Sequence, residues 1–162
     1  MLSEKPLIVI APRHPTRSRS IQQQLSQLGI SFATRSQSQS IEAQTQVYLA
    51  DTLGELKTLM AHARIVIMGG SFDNTGGHNL IEPAALACPV ITGPSDDNIR
   101  EDIKLLGDAV IQVPDVATCW QQVEHLLNNP AQATSLGLRA QEATRQQSHM
   151  LADYLDEIKP CL

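Results

Sequence analysis

Aromatic residues are nearly missing from this sequence: one Trp, two Tyr and two Phe make up 3% of 162 residues. Its core must therefore be built mostly from Leu, Ile, Val and Ala. Cysteine is also sparse. Cys88, Cys119 and Cys161 are odd in number and far apart, which fits neither a zinc site nor a disulfide framework and points to a reducing, cytoplasmic setting. No apolar run approaches the length of a transmembrane helix, and the N-terminus has no signal-peptide core, so the expectation is a soluble chain. Positive charge is in deficit as well: the net charge is −5 and the pI near 5.4. That balance argues against nucleic acid as a partner, because nucleic-acid binding wants a basic face. The five His residues show no metal-ligand spacing, and His62, His125 and His149 read as surface residues. No Ser-His-Asp or Cys-His arrangement stands out.

What is present is the make-up of one domain. A chain of 162 residues, 42% hydrophobic and 18% charged, is large enough to bury a sizeable apolar core. Apolar runs at 7–11, 30–33, 47–49, 65–68, 89–92 and 109–113 read as strands. Helical stretches fall between them: one ending at 21–28 and stopped by Gly29, then 53–61, 80–87 and 98–106, the last stopped by Gly107. A polar Ser/Gln stretch at 36–46 reads as a loop. Asp115 is expected to cap a helix running to Asn128, and a final helix follows Pro130, bends near Ser148 and reaches Ile158. Near-continuous apolar strands alternating with helices predict an α/β, Rossmann-like parallel sheet with helices on both faces, in a single domain over 1–162.

Ligands of such sheets bind beyond the carboxyl ends of the strands. The strongest candidate there runs Met68-Gly69-Gly70-Ser71-Phe72-Asp73-Asn74-Thr75-Gly76-Gly77-His78-Asn79-Leu80-Ile81-Glu82-Pro83. Two glycine pairs let the backbone approach a ligand closely. Pro83, which lacks an amide hydrogen, belongs in the first turn of the following helix. The helix is then expected to begin near residues 78–80, with free amides that attract a phosphate. Asn79 and Glu82, three apart, share one helical face. Glu82 would repel a phosphate, but it can accept hydrogen bonds from the two hydroxyls of a ribose. The plainer alternative is a tight turn in which Glu82 merely favours the helix dipole.

Two further loops stand out. Ala11-Pro12-Arg13-His14-Pro15-Thr16-Arg17 follows the first strand, and prolines stiffen the loop around Arg13, whose guanidinium can clamp an anion through two parallel bonds. Arg13, Arg17 and Arg19 cluster in an otherwise acidic chain, although a solvated loop would explain Arg17 and Arg19 equally well. Ala50-Asp51-Thr52-Leu53-Gly54-Glu55-Leu56 follows the third strand; Asp51 or Thr52 is placed to cap a helix, and the amides there are available to a planar base. Asn98 and Arg100, after Gly93-Pro94, stand either at a ligand or at a solvated helix start.

In order along the chain, these segments resemble the 3-deoxy-D-manno-octulosonic acid (Kdo) transferases. The resemblance is carried by Arg13-His14-Pro15 with Arg17, by Asp51-Thr52-Leu53-Gly54-Glu55-Leu56, and by Gly69-Gly70-Ser71. Gly76-Gly77-His78-Asn79-Leu80-Ile81-Glu82-Pro83-Ala84, Pro89-Val90, Gly93-Pro94, and Asn98 with Arg100-Glu101 continue it. It implies the carboxy-terminal, donor-binding half of a GT-B glycosyltransferase of lipopolysaccharide synthesis, whose donor is CMP-Kdo. By that analogy Pro12, Arg13 and His14 lie at the CMP phosphate, Leu53, Gly54 and Glu55 line the cytidine, and Asn79, Leu80, Ile81 and Glu82 hold ribose and phosphate. Gly70, Ser71, Gly77, His78 and Asn98 complete the implied site.

The family transfers Kdo to a lipid A precursor with inversion, and the resemblance implies no cofactor and no metal. Arginine and helix amides would then offset the charge of the departing CMP. The family's amino-terminal half carries the acceptor site, the catalytic base and the membrane attachment, and nothing here corresponds to it. The expectation is a donor-binding domain with no catalytic residue of its own, partnered by that half at the cytoplasmic face of the inner membrane. Its last helix would cross back to that half, leaving Met150, Leu151, Tyr154 and Leu155 partly uncovered here. Three rivals remain at this point: a UDP-sugar-binding half of another GT-B enzyme or epimerase, a nucleotide-binding subunit that needs a separate partner chain, and a non-nucleotide α/β interaction module in which the glycine turn is merely structural.

Overall fold

The structure is a computed structural model that describes residues 5–73 and 79–158, with side chains up to Gln147. Its chain divides into two compact units, 1–58 and 59–162.

The first unit carries a parallel sheet in the order β1-β3-β2, formed by β1 (Ile8–Ile10), β2 (Phe32–Thr34) and β3 (Val47–Leu49). Val47 of the central strand pairs with both Ile8 and Phe32. β2 and β3 are both well covered, Thr34 and Leu49 being wholly buried. β1 is an edge strand paired on one side only, and Ile8 and Val9 are about two-fifths exposed, 40% and 43%. It is thus less buried than its apolar sequence suggests. Helix α1 (Ser18–Gln27) buries Leu25 and ends as expected at Gly29, whose φ of +66° only glycine adopts freely. There the Gly29 amide donates to Ser26 O and the Ile30 amide to Leu25 O, the paired bonds of a Schellman ending.

Helix α2 (Leu56–His62) spans the division and leads to the second unit. It begins three residues later than the apolar pattern suggests, because Thr52 and Glu55 bond to each other in a turn. The second sheet is parallel, in the order β4-β5-β6, formed by β4 (Val66–Met68), β5 (Val90–Thr92) and β6 (Val110–Gln112). Alternate residues of β5 face opposite ways, as strand geometry requires. Val90 joins a core with Leu80, Ala84, Ile99, Leu106 and Ala140, while Ile91 joins another with Val113, Cys119, Val123, Leu126 and Leu136. Helices α3 (Ile81–Ala85) and α4 (Arg100–Leu106) supply the first cluster, and α5 (Val116–Asn128) the second. Helix α6 (Pro130–Ile158) contributes to both and packs most heavily on α3. This sheet is therefore covered on both faces, as the sequence predicts.

Local rules explain the helix ends. Asp115 caps α5 by accepting from the Thr118 amide at 2.7 Å. Helix α3 ends in a second Schellman pair, the Cys88 amide to Pro83 O and the Ala87 amide to Ala84 O, with Ala87 in the left-handed region at φ +57°. The carbonyl of Ala87 presses on α6 at Gly137, where a Cβ would stand only 1.9 Å away. Only glycine permits that approach.

Candidate functional site

In the first unit the sheet's carboxyl ends open into three loops, and buried Asp51 ties them together. It follows β3 directly and is 6% exposed. One carboxylate oxygen accepts from Ser18 Oγ, at the start of α1, and from Ser36 Oγ, just after β2; the other accepts the Ser36 amide at 2.9 Å. Burial works against this charge, but the bonds from Ser18 and Ser36 outweigh it and hold the carboxyl below its ordinary value. Asp51 thus joins loops rather than capping α2, a correction to one of the sequence-based expectations: its donors come from Ser18 and Ser36, and α2 begins only at Leu56, five residues further on.

Glu55 is held from two sides. Arg35 donates from Nε to both carboxylate oxygens at 3.0 Å and from Nη2 to one at 2.8 Å, and Thr52 Oγ1 donates to the other. The Arg35 bonds, then Thr52, push the Glu55 carboxyl below its ordinary value. Between them Gly54 adopts φ +88°, and Leu53 is 79% exposed. Pro12 is half-buried, while Arg13 and His14 are exposed in the loop after β1.

In the second unit the strand-to-helix turn after β4 splits into a buried and an open part. Gly70 is half-buried. Ser71 is fully buried, its hydroxyl donating to Met68 O and accepting from the Gly93 amide at 2.6 Å. Gly93 sits so close that a Cβ there would meet Ser71 O at 2.5 Å. Ser71 therefore binds the ends of β4 and β5 to each other, and its hydroxyl is not turned to solvent. Gly77 and His78 lie outside the described residues.

The start of α3 differs from the expectation of free amides. Leu80 N–H donates to Asp102 Oδ2 at 2.8 Å, and the Ile81 and Glu82 amides donate to Asn79 Oδ1 at 2.9 and 3.3 Å. Every amide from Leu80 to Glu82 has an acceptor, because Asn79 acts as the cap and α4 supplies a carboxylate. Leu80 itself is a core side chain, and Ile81 is half-buried. Glu82, by contrast, is exposed at the second position of α3, with Pro83 next to it in the first turn. Its carboxylate has no hydrogen-bond or ion-pair partner among the described residues. Asn98 is exposed too, while Arg100 engages Asp96 at 3.2 Å and Asp97 at 3.6 Å, the solvated helix-start arrangement.

Sequence reasoning missed Arg35, Ser18, Ser36 and Asp102. The first three stand beside carboxyl ends of strands, where the rule for sheets of this type directs attention, but lie outside the Gly-rich and Pro-rich segments that drew it. Burial raises the thiols of Cys88 and Cys119, which makes neither a ready nucleophile. Among the described residues no group of three His, Cys, Asp or Glu is placed to hold a metal, and no helix is long and apolar enough to cross a membrane.

Two parallel sheets, helices between successive strands and polar loops at the carboxyl ends define the carboxy-terminal half of a GT-B fold. A solved structure described as the C-terminal CMP-Kdo binding domain of WaaA from Acinetobacter baumannii superposes with a TM-score of 0.80 at 32% identity, over 85% of this chain and 72% of that one. The 3-deoxy-D-manno-octulosonic acid transferase of Bordetella pertussis is 37% identical over 93% of this chain and 38% of its own length, and that of Haemophilus influenzae 34% identical over 96% and 37%. A probable mitochondrial enzyme of the same name from Arabidopsis thaliana is 38% identical over 76% of this chain. No protein-family model matches the sequence. The chain belongs to the 3-deoxy-D-manno-octulosonic acid transferase family and spans 38% and 37% of the length of the two bacterial relatives.

Proposed function

We propose that this chain binds CMP-Kdo as the donor-binding part of a Kdo transferase that acts on a lipid A precursor at the cytoplasmic face of the inner membrane. One observation carries the reading: Glu82 is an exposed carboxylate, without a partner among the described residues, one turn into the helix that follows the Gly-rich segment. An exposed acid anchored on a helix that Asn79 caps and Asp102 tethers is preorganised to accept the two ribose hydroxyls. Of the first unit, Pro12, Arg13 and His14 meet the anionic part of the nucleotide, where a guanidinium offers forked donors. The 52–55 loop lines the base through its apolar and backbone groups. No metal is required in this reading; cationic side chains and backbone donors offset the charge of the departing nucleotide.

Titration of the ¹⁵N-labelled chain with CMP, UDP and UDP-GlcNAc tests this. CMP is expected to shift the amide signals of Arg13, Gly54 and residues 79–82 more strongly than either uridine ligand. Glu82→Ala should weaken CMP binding by about a hundredfold, the loss of two charge-assisted bonds at about 1.5 kcal/mol each. Unfolding of that variant should match the wild type. Unchanged spectra at millimolar CMP would end the proposal.

A further inference from the structure

We propose that Arg35 is a positioning residue for the nucleotide, acting through Glu55, whose carboxylate shapes the 52–55 loop and does not itself contact the ligand. The inference rests on the nucleotide reading above and deepens it, because it reassigns one of the residues expected to line the base.

An ionised carboxylate offers about four lone-pair sites. Glu55 receives four contacts: Arg35 Nε on each oxygen, Arg35 Nη2 on Oε1 and Thr52 Oγ1 on Oε2. The single Nε–H is shared between the two oxygens, so three donor hydrogens occupy the carboxylate and most of its accepting capacity is spent inside the protein rather than on a base or a ribose. The clamp fixes shape instead. Thr52 and Glu55, three residues apart, close the loop on itself, and Arg35, the residue after β2, ties it to the neighbouring strand. Gly54 makes the turn at φ +88°, in open space that no neighbouring atom fills within 4 Å of a Cβ position. Leu53 is left 79% exposed at the tip, an apolar side chain on a loop held at both ends. Such a loop has little freedom left to lose when a flat ring docks on it. An isolated exposed ion pair is worth little, but forked geometry within a network is the exception, and only arginine supplies the fork.

A double-mutant cycle on the whole 162-residue chain tests the assignment, using CMP affinity together with amide hydrogen exchange at Leu53 and Gly54 without nucleotide. Arg35→Ala and Glu55→Ala should each weaken CMP binding by about fivefold and speed that exchange, while the double variant should lose no more than either alone. The charge-swapped pair, Arg35→Glu with Glu55→Arg, should recover part of the affinity. If Glu55→Ala weakens binding while Arg35→Ala does not, Glu55 touches the ligand and the inference fails. It also fails if Arg35→Ala alone weakens binding, if the two losses add, or if neither changes affinity. A wild type that shows no response to CMP is read separately, in the first titration, and removes the nucleotide reading on which this one stands.

Discussion

Ser71 shows how a residue chosen for ligand chemistry is instead spent on the fold. Its hydroxyl is fully buried and bonds both Met68 O and the Gly93 amide. Replacing it with alanine leaves the Gly93 amide buried without an acceptor, since the nearby backbone is already too close for water to enter. We expect Ser71→Ala to lower stability by about 1–3 kcal/mol in urea unfolding, with CMP affinity changed far less. A large loss of affinity at unchanged stability would show that the hydroxyl reaches the ligand after all. The sequence could not separate these roles. A serine after two glycines suits a phosphate loop and a strand-end tie equally, and only the partner, 22 residues away in the chain, decides. Glu82 differs: the three-residue spacing puts it on one helical face with Asn79, and the structure leaves its side chain exposed there.

At the scale of elements, apolar runs and caps located the six strands and the α-helices of the described residues to within a few residues, while the short 3-10 turns at Pro15–Arg17, Arg35–Gln37, Gly69–Phe72 and Gly107–Ala109 were not foreseen. Boundaries shifted where side-chain bonds that the apolar pattern does not show intervened. The clearest case is α2, whose start moves because Thr52 and Glu55 bond across the preceding turn. Helix α3 begins at Ile81, just past the expected 78–80, and its amides are not free, since Asn79 caps them and Asp102 arrives from α4. Strand pairing was not legible: nothing local in residues 7–11 says that β1 lies at a sheet edge.

Asp51 is the element-scale device that most invites a test, because it joins β3 to α1 and to the residues after β2. Its folded-state value is depressed, so its contribution to stability is complete above the unfolded value of about 4 and is lost as pH falls through the lower folded value. Wild type should therefore lose stability below about pH 4 more steeply than Asp51→Asn, which should already be weaker by about 1–3 kcal/mol at neutral pH. The two unfolding curves should converge in acid. Parallel pH profiles for the two proteins would mean that Asp51 contributes no charge-dependent stability.

For the whole molecule, the decisive quantity is how much of the reaction these residues can perform. Glycosyl transfer needs a base placed at the acceptor hydroxyl as well as a site that steadies the leaving nucleotide. In the proposed reading the second of these roles falls to the guanidinium after β1 in the first unit and the acid on α3 in the second, each on a loop or helix that its own unit holds in place. Of the described cysteines, both are buried with raised thiols; Asp51 and Glu55 already accept several bonds from the protein, Asp102 accepts the Leu80 amide, and Glu82 is assigned above to the ribose hydroxyls. A carboxylate committed to several donors is a poor proton acceptor. The 162-residue chain by itself is therefore expected to bind CMP yet release none from CMP-Kdo in the presence of a lipid A precursor. Adding a separately produced amino-terminal half of a family member should restore transfer, read as Kdo on the lipid by mass spectrometry. Transfer by the chain alone, abolished by Glu82→Ala, would mean that the base lies within these residues and that the proposed division of labour is wrong.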